Sequence, residues 1–406
     1  MLKGVKNRIL LLLLSLLCNS AVIAQAYVNH YCVNDDLPDI VLVHYAMATR
    51  FKMTTDQWQP YVVHTFSDGR KEWLFQGFVM LDLVVGKKDV IHQLKKANPD
   101  YAQKSDWEAM INKLFLKGCM LEALDKTIED NIKVIGAPPF KHKIIMGIPM
   151  PIKNQKNWGM IGNKRIDFSK DKDRVLAVKW YIDEFLKEFG KRKYKNLELG
   201  GFYWIEEDTE NTAGIPRPVS DYIHQLGYKH YWMPYLTAVG SAKWAENGFD
   251  YCYTQPGGYN FNVKRDISKV DQACQKAYQR GMGFVMEFEY SVISEPDTFV
   301  PRLNNCIDRF EKLGVYDTAA MAYYDGAKVI YYMSTNGSQK HPLRGAQLKK
   351  VKAVMDRMAN HIVNRYKKRF PKVNDTNTNR APASNGSNGG SGLKIDDWRN
   401  PDYWHF

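Results

Sequence analysis

Leu197-Glu198-Leu199-Gly200-Gly201-Phe202-Tyr203-Trp204-Ile205-Glu206-Glu207-Asp208 is a short apolar run that ends in three acids. Amphipathic stretches flank it, 174–189 before and 218–226 after. A strand between two helical stretches is the repeating unit of a parallel sheet, because parallel neighbours need a crossover of a dozen or more residues. Seven further apolar runs repeat the pattern, at 40–47, 73–85, 143–152, 230–236, 249–254, 283–290 and 319–324. Most are rich in β-branched or aromatic residues and begin or end near Gly or Pro, as strands do. Helical stretches at 90–94, 106–132, 270–280 and 297–312 separate several of them. Eight strands in one alternation predict an α/β fold, a closed (β/α)8 TIM barrel. A doubly wound open sheet is the competitor. Such sheets carry a glycine-rich phosphate loop after the first strand, and Met47-Ala48-Thr49-Arg50-Phe51 has no glycine.

The 406 residues are 45% hydrophobic and 25% charged, a globular composition long enough for one large barrel. Residues 1–24 read as a signal peptide. Lys3, Lys6 and Arg8 are its basic region, 9–17 its apolar core, and Val22-Ile23-Ala24 its cleavage pattern. Export to the periplasm or beyond is expected. The apolar run is too short to span a bilayer, and no later stretch qualifies. Lipid attachment at Cys18 is the alternative, weakened by Leu17 where a small residue is wanted. The barrel domain then occupies 25–370, closing with a long amphipathic stretch at 345–370. Residues 371–392 read as a flexible linker. Residues 393–406 form an aromatic tail with Trp398, Tyr403, Trp404 and Phe406.

After cleavage the cysteines are Cys32, Cys119, Cys252, Cys274 and Cys306, with no CxxC. Neither a zinc site nor a disulfide scaffold follows, and buried free thiols are expected. GxSxG, HExxH and GxxxxGK[ST] are all missing, so no metal and no cofactor is expected. The leader takes three charges from the net +13 and leaves +10. That excess suits an acidic polysaccharide. Its basic runs, 187–195, 349–352 and 365–372, interleave apolar residues and read as solvated helix faces. No basic–aromatic motif for nucleic acid occurs.

Barrel active sites gather at the C-terminal ends of strands. In the quoted run, simple alternation sends Leu197, Leu199 and Ile205 outward, and Glu198, Phe202, Trp204 and Glu206 inward. Glu206 is then the candidate acid. Glu207 takes over if the strand ends or bulges first. In Gly283-Phe284-Val285-Met286-Glu287-Phe288-Glu289-Tyr290, alternation puts Glu287 and Glu289 together on the inner face. Two carboxylates there are costly unless paired or solvated. Acids from the fourth and seventh strands are what glycoside hydrolysis needs, one carboxyl to protonate the leaving oxygen and one to attack or to activate water. Aromatic and polar residues near strand ends would line the sugar subsites. They are Tyr203, Trp204, Trp232, Tyr235, Tyr259, Tyr323 and Tyr324, with His44, Asp82 and Gln255.

Several blocks resemble an uncharacterised bacterial family, a domain of unknown function common among exported proteins of polysaccharide-utilisation systems. They include Trp73-Leu74-Phe75-Gln76-Gly77-Phe78, Gly147-Ile148-Pro149-Met150-Pro151, Gly201-Phe202-Tyr203-Trp204 followed by Glu, Tyr231-Trp232-Met233-Pro234-Tyr235, Glu287-Phe288-Glu289 and Tyr323-Tyr324. The resemblance covers roughly 39–365. It implies a barrel of glycoside-hydrolase type, an acid at Glu206 or Glu207, and Glu287 and Glu289 at the seventh strand. The expected activity is cleavage of a glycosidic bond in an oligo- or polysaccharide. A glycan-binding barrel without turnover is the alternative, and a docking module carrying the aromatic tail is a third.

Overall fold

The computed structural model describes residues 39–45, 52–92, 100–256, 268–326 and 328–370. The leader, the linker, the tail and Tyr259 lie outside the described residues.

Eight parallel strands close a barrel. They are β1 (Asp39–His44), β2 (Gly77–Leu81), β3 (His142–Ile148), β4 (Leu197–Trp204), β5 (Lys229–Trp232), β6 (Tyr251–Thr254), β7 (Gly283–Glu287) and β8 (Met321–Tyr324). Each falls within or overlaps one of the eight apolar runs. Neighbours follow sequence order, and β8 pairs with β1 to complete the circle. Among the described residues the helices are α1 (Thr55–Val62), α2 (Lys104–Leu114), α3 (Met120–Ile135), α4 (Asp171–Gly190), α5 (Pro216–Gln225), α6 (Ser268–Gln279), α7 (Pro296–Lys312), α8 (Val329–Ser334) and α9 (Gly345–Arg369), besides three single-turn segments. Their buried residues recur at three- and four-residue steps, as in Leu121, Leu124 and Ile128 of α3.

Three expectations about local structure change. Residues 90–92 bend after a small hairpin, Val84–Val85 with Lys88–Asp89, rather than opening a helix. The stretch 106–132 is two helices, broken at Gly118, whose φ of +72° is left-handed. Trp73 sits in a separate hairpin, paired with Val63, and the barrel strand starts only at Gly77.

The register decides which side chains face the lumen. Residues paired across parallel strands share a face. Phe202 packs on Phe185 of α4, Phe284 on Phe310 of α7, and His230 bonds Ser220 of α5, so these three face the helices. Following the pairing around the ring, the lumen receives His44, Leu81, Gly147, Tyr203, Tyr231, Tyr253, Glu287 and Tyr324. Simple alternation fails in β4. Leu199 pairs with Ile144 and Gly201 with Ile145, leaving Gly200 as an inserted residue. The bulge reverses parity for everything after it. Tyr203 therefore points in, and Phe202 and Trp204 point out. Gly201 has φ +152°, and a Cβ there would lie 2.1 Å from the Lys229 carbonyl oxygen.

At the opposite end of the barrel, α9 closes the ring. Arg365 donates from Nε to Asp39 of β1 at 2.8 Å and from a terminal nitrogen to the Ala319 carbonyl at 2.7 Å, just before β8. Both Arg365 and Asp39 are buried. The first basic run closes α4 and continues through the turn after it, and the described parts of the other two lie on or at the end of α9, with ion pairs such as Lys191–Glu188 and Lys368–Asp317. Cys119, Cys252, Cys274 and Cys306 are buried free thiols. Among the described residues, no helix is long and apolar enough to cross a membrane.

The bulge carries a stability prediction. Gly201→Ala should cost about 3 kcal/mol, because it adds a backbone clash to a strained φ. Gly69→Ala, with φ +87° but open space around it, should cost roughly 1 kcal/mol. Urea unfolding of the two variants would check the ordering, and equal losses would refute the bulge as a packed feature.

Candidate active site

The C-terminal ends of the strands bring polar side chains together at one mouth. β1 ends in His44, β7 in Glu287 and β8 in Tyr324, while Asp82, Gln255 and Asp325 each follow a strand directly. His44 Nε2 lies 3.1 Å from the Tyr324 hydroxyl, and its Nδ1 lies 3.3 Å from Asp82 Oδ1. The Tyr45 backbone N–H holds the other Asp82 oxygen at 2.7 Å. Burial raises the Tyr324 phenol above its ordinary pKa, and the carboxylates of Glu289, Asp325, Glu287 and Glu207 add to it. Four acids from three strand ends thus bear on one phenol.

Glu207 is the acid that β4 delivers. Burial raises its pKa, Glu206 and Asp208 raise it further, and a hydrogen bond from Gln255 Nε2 at 3.1 Å opposes them. Gln255 is fixed by a second bond to the Met233 carbonyl at 2.6 Å. Tyr203 is buried on the same side of β4. Tyr235 donates to Asp208 at 3.3 Å.

Glu206 is placed elsewhere. It is fully buried, and its carboxyl is bound to His92 in the segment after β2. Its Oε2 accepts the His92 backbone N–H at 3.0 Å and His92 Nδ1 at 3.1 Å. His92 Nε2 in turn accepts the Lys153 N–H at 2.9 Å, which fixes the ring proton on Nδ1. The Glu206 carbonyl accepts Trp232 Nε1 at 2.7 Å. Glu206 therefore ties the segments after β2 and β3 to the end of β4. Sequence reading missed this clasp, because nothing in the spacing of His92, Lys153 and Glu206 marks it. The bulge that demotes Glu206 was legible as the Gly200-Gly201 doublet.

The seventh strand divides its two acids. Glu287 is its last residue, and Glu289 stands two residues beyond, half-buried in the following turn. Burial alone raises the Glu289 pKa. Gly326, with φ +63°, closes on it, and a Cβ there would lie 3.1 Å from Glu289 Cγ.

Three aromatics miss the mouth. Trp204 and Trp232 share the outer face with Phe202, and Trp232 stacks on Phe249 at 4.9 Å. Tyr323 also points outward and donates to Asp39 at 3.2 Å. The reason is parity: the bulge turns Trp204, and Trp232 pairs with it. Tyr203, Tyr235 and Tyr324 are the aromatics that remain at or beneath the mouth. Among the described residues, no group of three or more His, Cys, Asp or Glu is arranged to hold a metal ion.

Fold and site together define a (β/α)8 barrel protein with a carboxylate-lined C-terminal mouth. Residues 39–345 match the domain of unknown function DUF4855, and the chain belongs to that family. No curated protein matches it by sequence. Among solved structures it is similar to a putative alpha-L-fucosidase from Bacteroides thetaiotaomicron, at 13% identity and TM-score 0.39, covering 80% of this chain and 96% of that one. It is also similar to a chitinase from Ipomoea carnea, at 10% identity and TM-score 0.37, over 77% and 99% of the two chains. The tryptophan synthase α-subunit from Pyrococcus furiosus aligns at 8% identity and TM-score 0.33, over 80% and 98%. Likenesses this distant carry no argument about chemistry.

Two variants separate the mouth from the clasp. A raised carboxyl pKa means the folded chain binds more protons than the unfolded one, so stability falls as pH rises through the raised value. Glu289→Gln removes that cost. Its melting temperature should match wild type below about pH 4 and exceed it increasingly toward neutrality. Glu206→Gln should instead lose about 1–3 kcal/mol at neutral pH by loosening a buried hydrogen-bonded acid. Thermal melts of both across pH would check the contrast. A Glu289→Gln variant that loses stability as pH rises would show an ionised, partnered carboxylate there.

Proposed function

We propose that this chain is an exported glycoside hydrolase, with Glu207 and Glu289 as its two carboxyl groups. The observation that carries the reading is convergence. Acids from the ends of β4 and β7 both act on Tyr324 at the barrel mouth. Burial raises the pKa of both. Hydrolysis of a glycosidic bond needs one carboxyl that keeps its proton near neutral pH and one that ionises. The first protonates the leaving oxygen, and the second attacks the anomeric carbon or takes a proton from the attacking water. Tyr235 and Tyr324, both part-exposed, offer ring faces to the sugar above the buried Tyr203, and Gln255, Asp82 and His44 support the polar groups around it. The signal peptide read at 1–24 supports action outside the cytoplasm. An oligo- or polysaccharide is the substrate. Only the net charge speaks for an acidic one.

Reducing-end release from neutral and acidic polysaccharides tests the reading. Wild-type 25–406 should release sugar, while Glu207→Gln and Glu289→Gln should each lose roughly 100- to 10,000-fold in rate with the fold intact. Glu206→Gln should keep more activity than either. Full activity in Glu207→Gln or Glu289→Gln would remove that residue from the site. Glycan binding without release by wild type would replace the hydrolase with a non-catalytic glycan-binding barrel.

A further inference from the structure

Hydrolysis by two acids does not by itself require the chain of side chains behind Tyr324. Asp82, fixed by the Tyr45 N–H, presents Oδ1 to His44 Nδ1. A carboxylate only accepts, so Nδ1 carries a proton, and in the neutral ring Nε2 is then an acceptor. Tyr324 has a single proton, and His44 Nε2 lies 3.1 Å from its oxygen. With that proton given to His44, the phenol oxygen has only lone pairs to offer elsewhere. Four carboxylates bear on it through their charge, Glu289 and Glu287 from β7, Asp325 from the end of β8 and Glu207 from β4. The Phe288 N–H bond to the Tyr324 carbonyl at 2.9 Å and the approach of Gly326 to Glu289 set Glu289 beside the end of β8. Lys113 bears on Asp82 from behind. Glu289 acts on the phenol most strongly of the four. Asp325 is occupied by the Tyr61 hydroxyl and the Ile330 N–H.

Glu207 and Glu289 differ in what reaches them. Glu207 accepts a hydrogen bond from Gln255, which favours its ionised form. No described residue donates to Glu289, and the turn at Gly326 presses it toward the end of β8. Tyr324 is also a poor nucleophile here, since burial and four acids keep the phenol protonated.

We propose that the Asp82–His44–Tyr324 chain is a positioning device: it commits the Tyr324 proton to His44, withholds it from Glu289, and so makes Glu289 the general acid and Glu207 its ionised partner. The catalytic half rests on the hydrolase reading, and the proton placement stands without it. In the reaction the Glu289 O–H gives its proton to the glycosidic oxygen as the bond to the anomeric carbon breaks. The Glu207 carboxylate forms the new bond to that carbon, or takes the proton of the water that does. When Glu207 has bonded the carbon, water then displaces it, breaking the carbon–Glu207 bond and returning one proton to Glu289. When Glu207 has taken the proton of the water, that proton returns to Glu289 through solvent. Either way one water is consumed and its remaining O–H stays on the sugar.

Nuclear magnetic resonance of the intact chain tests this without any substrate. In protein labelled with 15N-histidine, His44 should show a protonated Nδ1 and an unprotonated Nε2 at neutral pH. A proton on Nε2 would overturn the proposal. In protein labelled at the glutamate carboxyl carbons, Glu289 should titrate above Glu207. His44→Leu frees the Tyr324 proton to donate to Glu289, so the acid dissociation constant of Glu289 should rise roughly tenfold, about one pH unit. In a Tyr324→Phe background the same change should leave it where it is. An equal shift in both backgrounds, or none in either, would refute the chain. If His44→Leu does not fold, the tautomer in the unaltered chain decides alone. Sugar release that fails while these titrations hold would count against the hydrolase and not against the proton placement.

Discussion

A closed ring of parallel strands permits no independent choice of face. Each strand takes its register from two neighbours, and the eighth must meet the first in the same phase. In this chain the phase is carried by one inserted residue, Gly200, in the strand pairing of β4 with β3. Without the insertion, Glu206 would point where Glu207 now does. Tyr203 would trade places with its neighbours, and Trp204 and Trp232 would no longer share the face that packs against helices. The mouth as observed follows from a backbone defect whose side chains are two hydrogen atoms.

The two adjacent acids illustrate how burial alone does not make a catalytic group. Glu206 is the more deeply buried, and one of its oxygens is held by a backbone N–H and an imidazole N–H of His92. Such a carboxylate is a fastener. Glu207 and Glu289 sit where desolvation outweighs the donors available. That imbalance costs folding energy, and it raises the pKa of both acids above that of a solvated carboxyl.

Most of the barrel was legible in the sequence. All eight strands were marked by apolar runs, because a strand buried on both faces must be nearly continuous in apolar residues. The inner face of β7 was legible too, since Glu287 and Glu289 stand out among Phe284, Met286 and Phe288. Strand ends were less so. Glu289 was read on the strand and lies beyond it, and Trp73 belongs to a hairpin whose partner, Val63, no pattern announces. Simple alternation misplaces the facing of β4 because it assumes a regular ladder, which the insertion at Gly200 breaks. The His44–Asp82 and His44–Tyr324 contacts span 38 and 280 residues. Contacts that distant exist only once the ring has closed, so local patterning cannot display them.

The clasp of Arg365 on Asp39 bears on how this protein is made. Their separation is 326 residues, and β1 meets β8 only after residue 321 has been synthesised. During translation β1 therefore waits with one edge unpaired while seven strands are laid down beside it. Pairing of such high contact order is slow, and exposed edges invite mispairing with other chains. The last long helix supplies the guanidinium that fastens the seam. A chain that ends before α9 would leave a buried aspartate without its cation at the join between the first strand and the last.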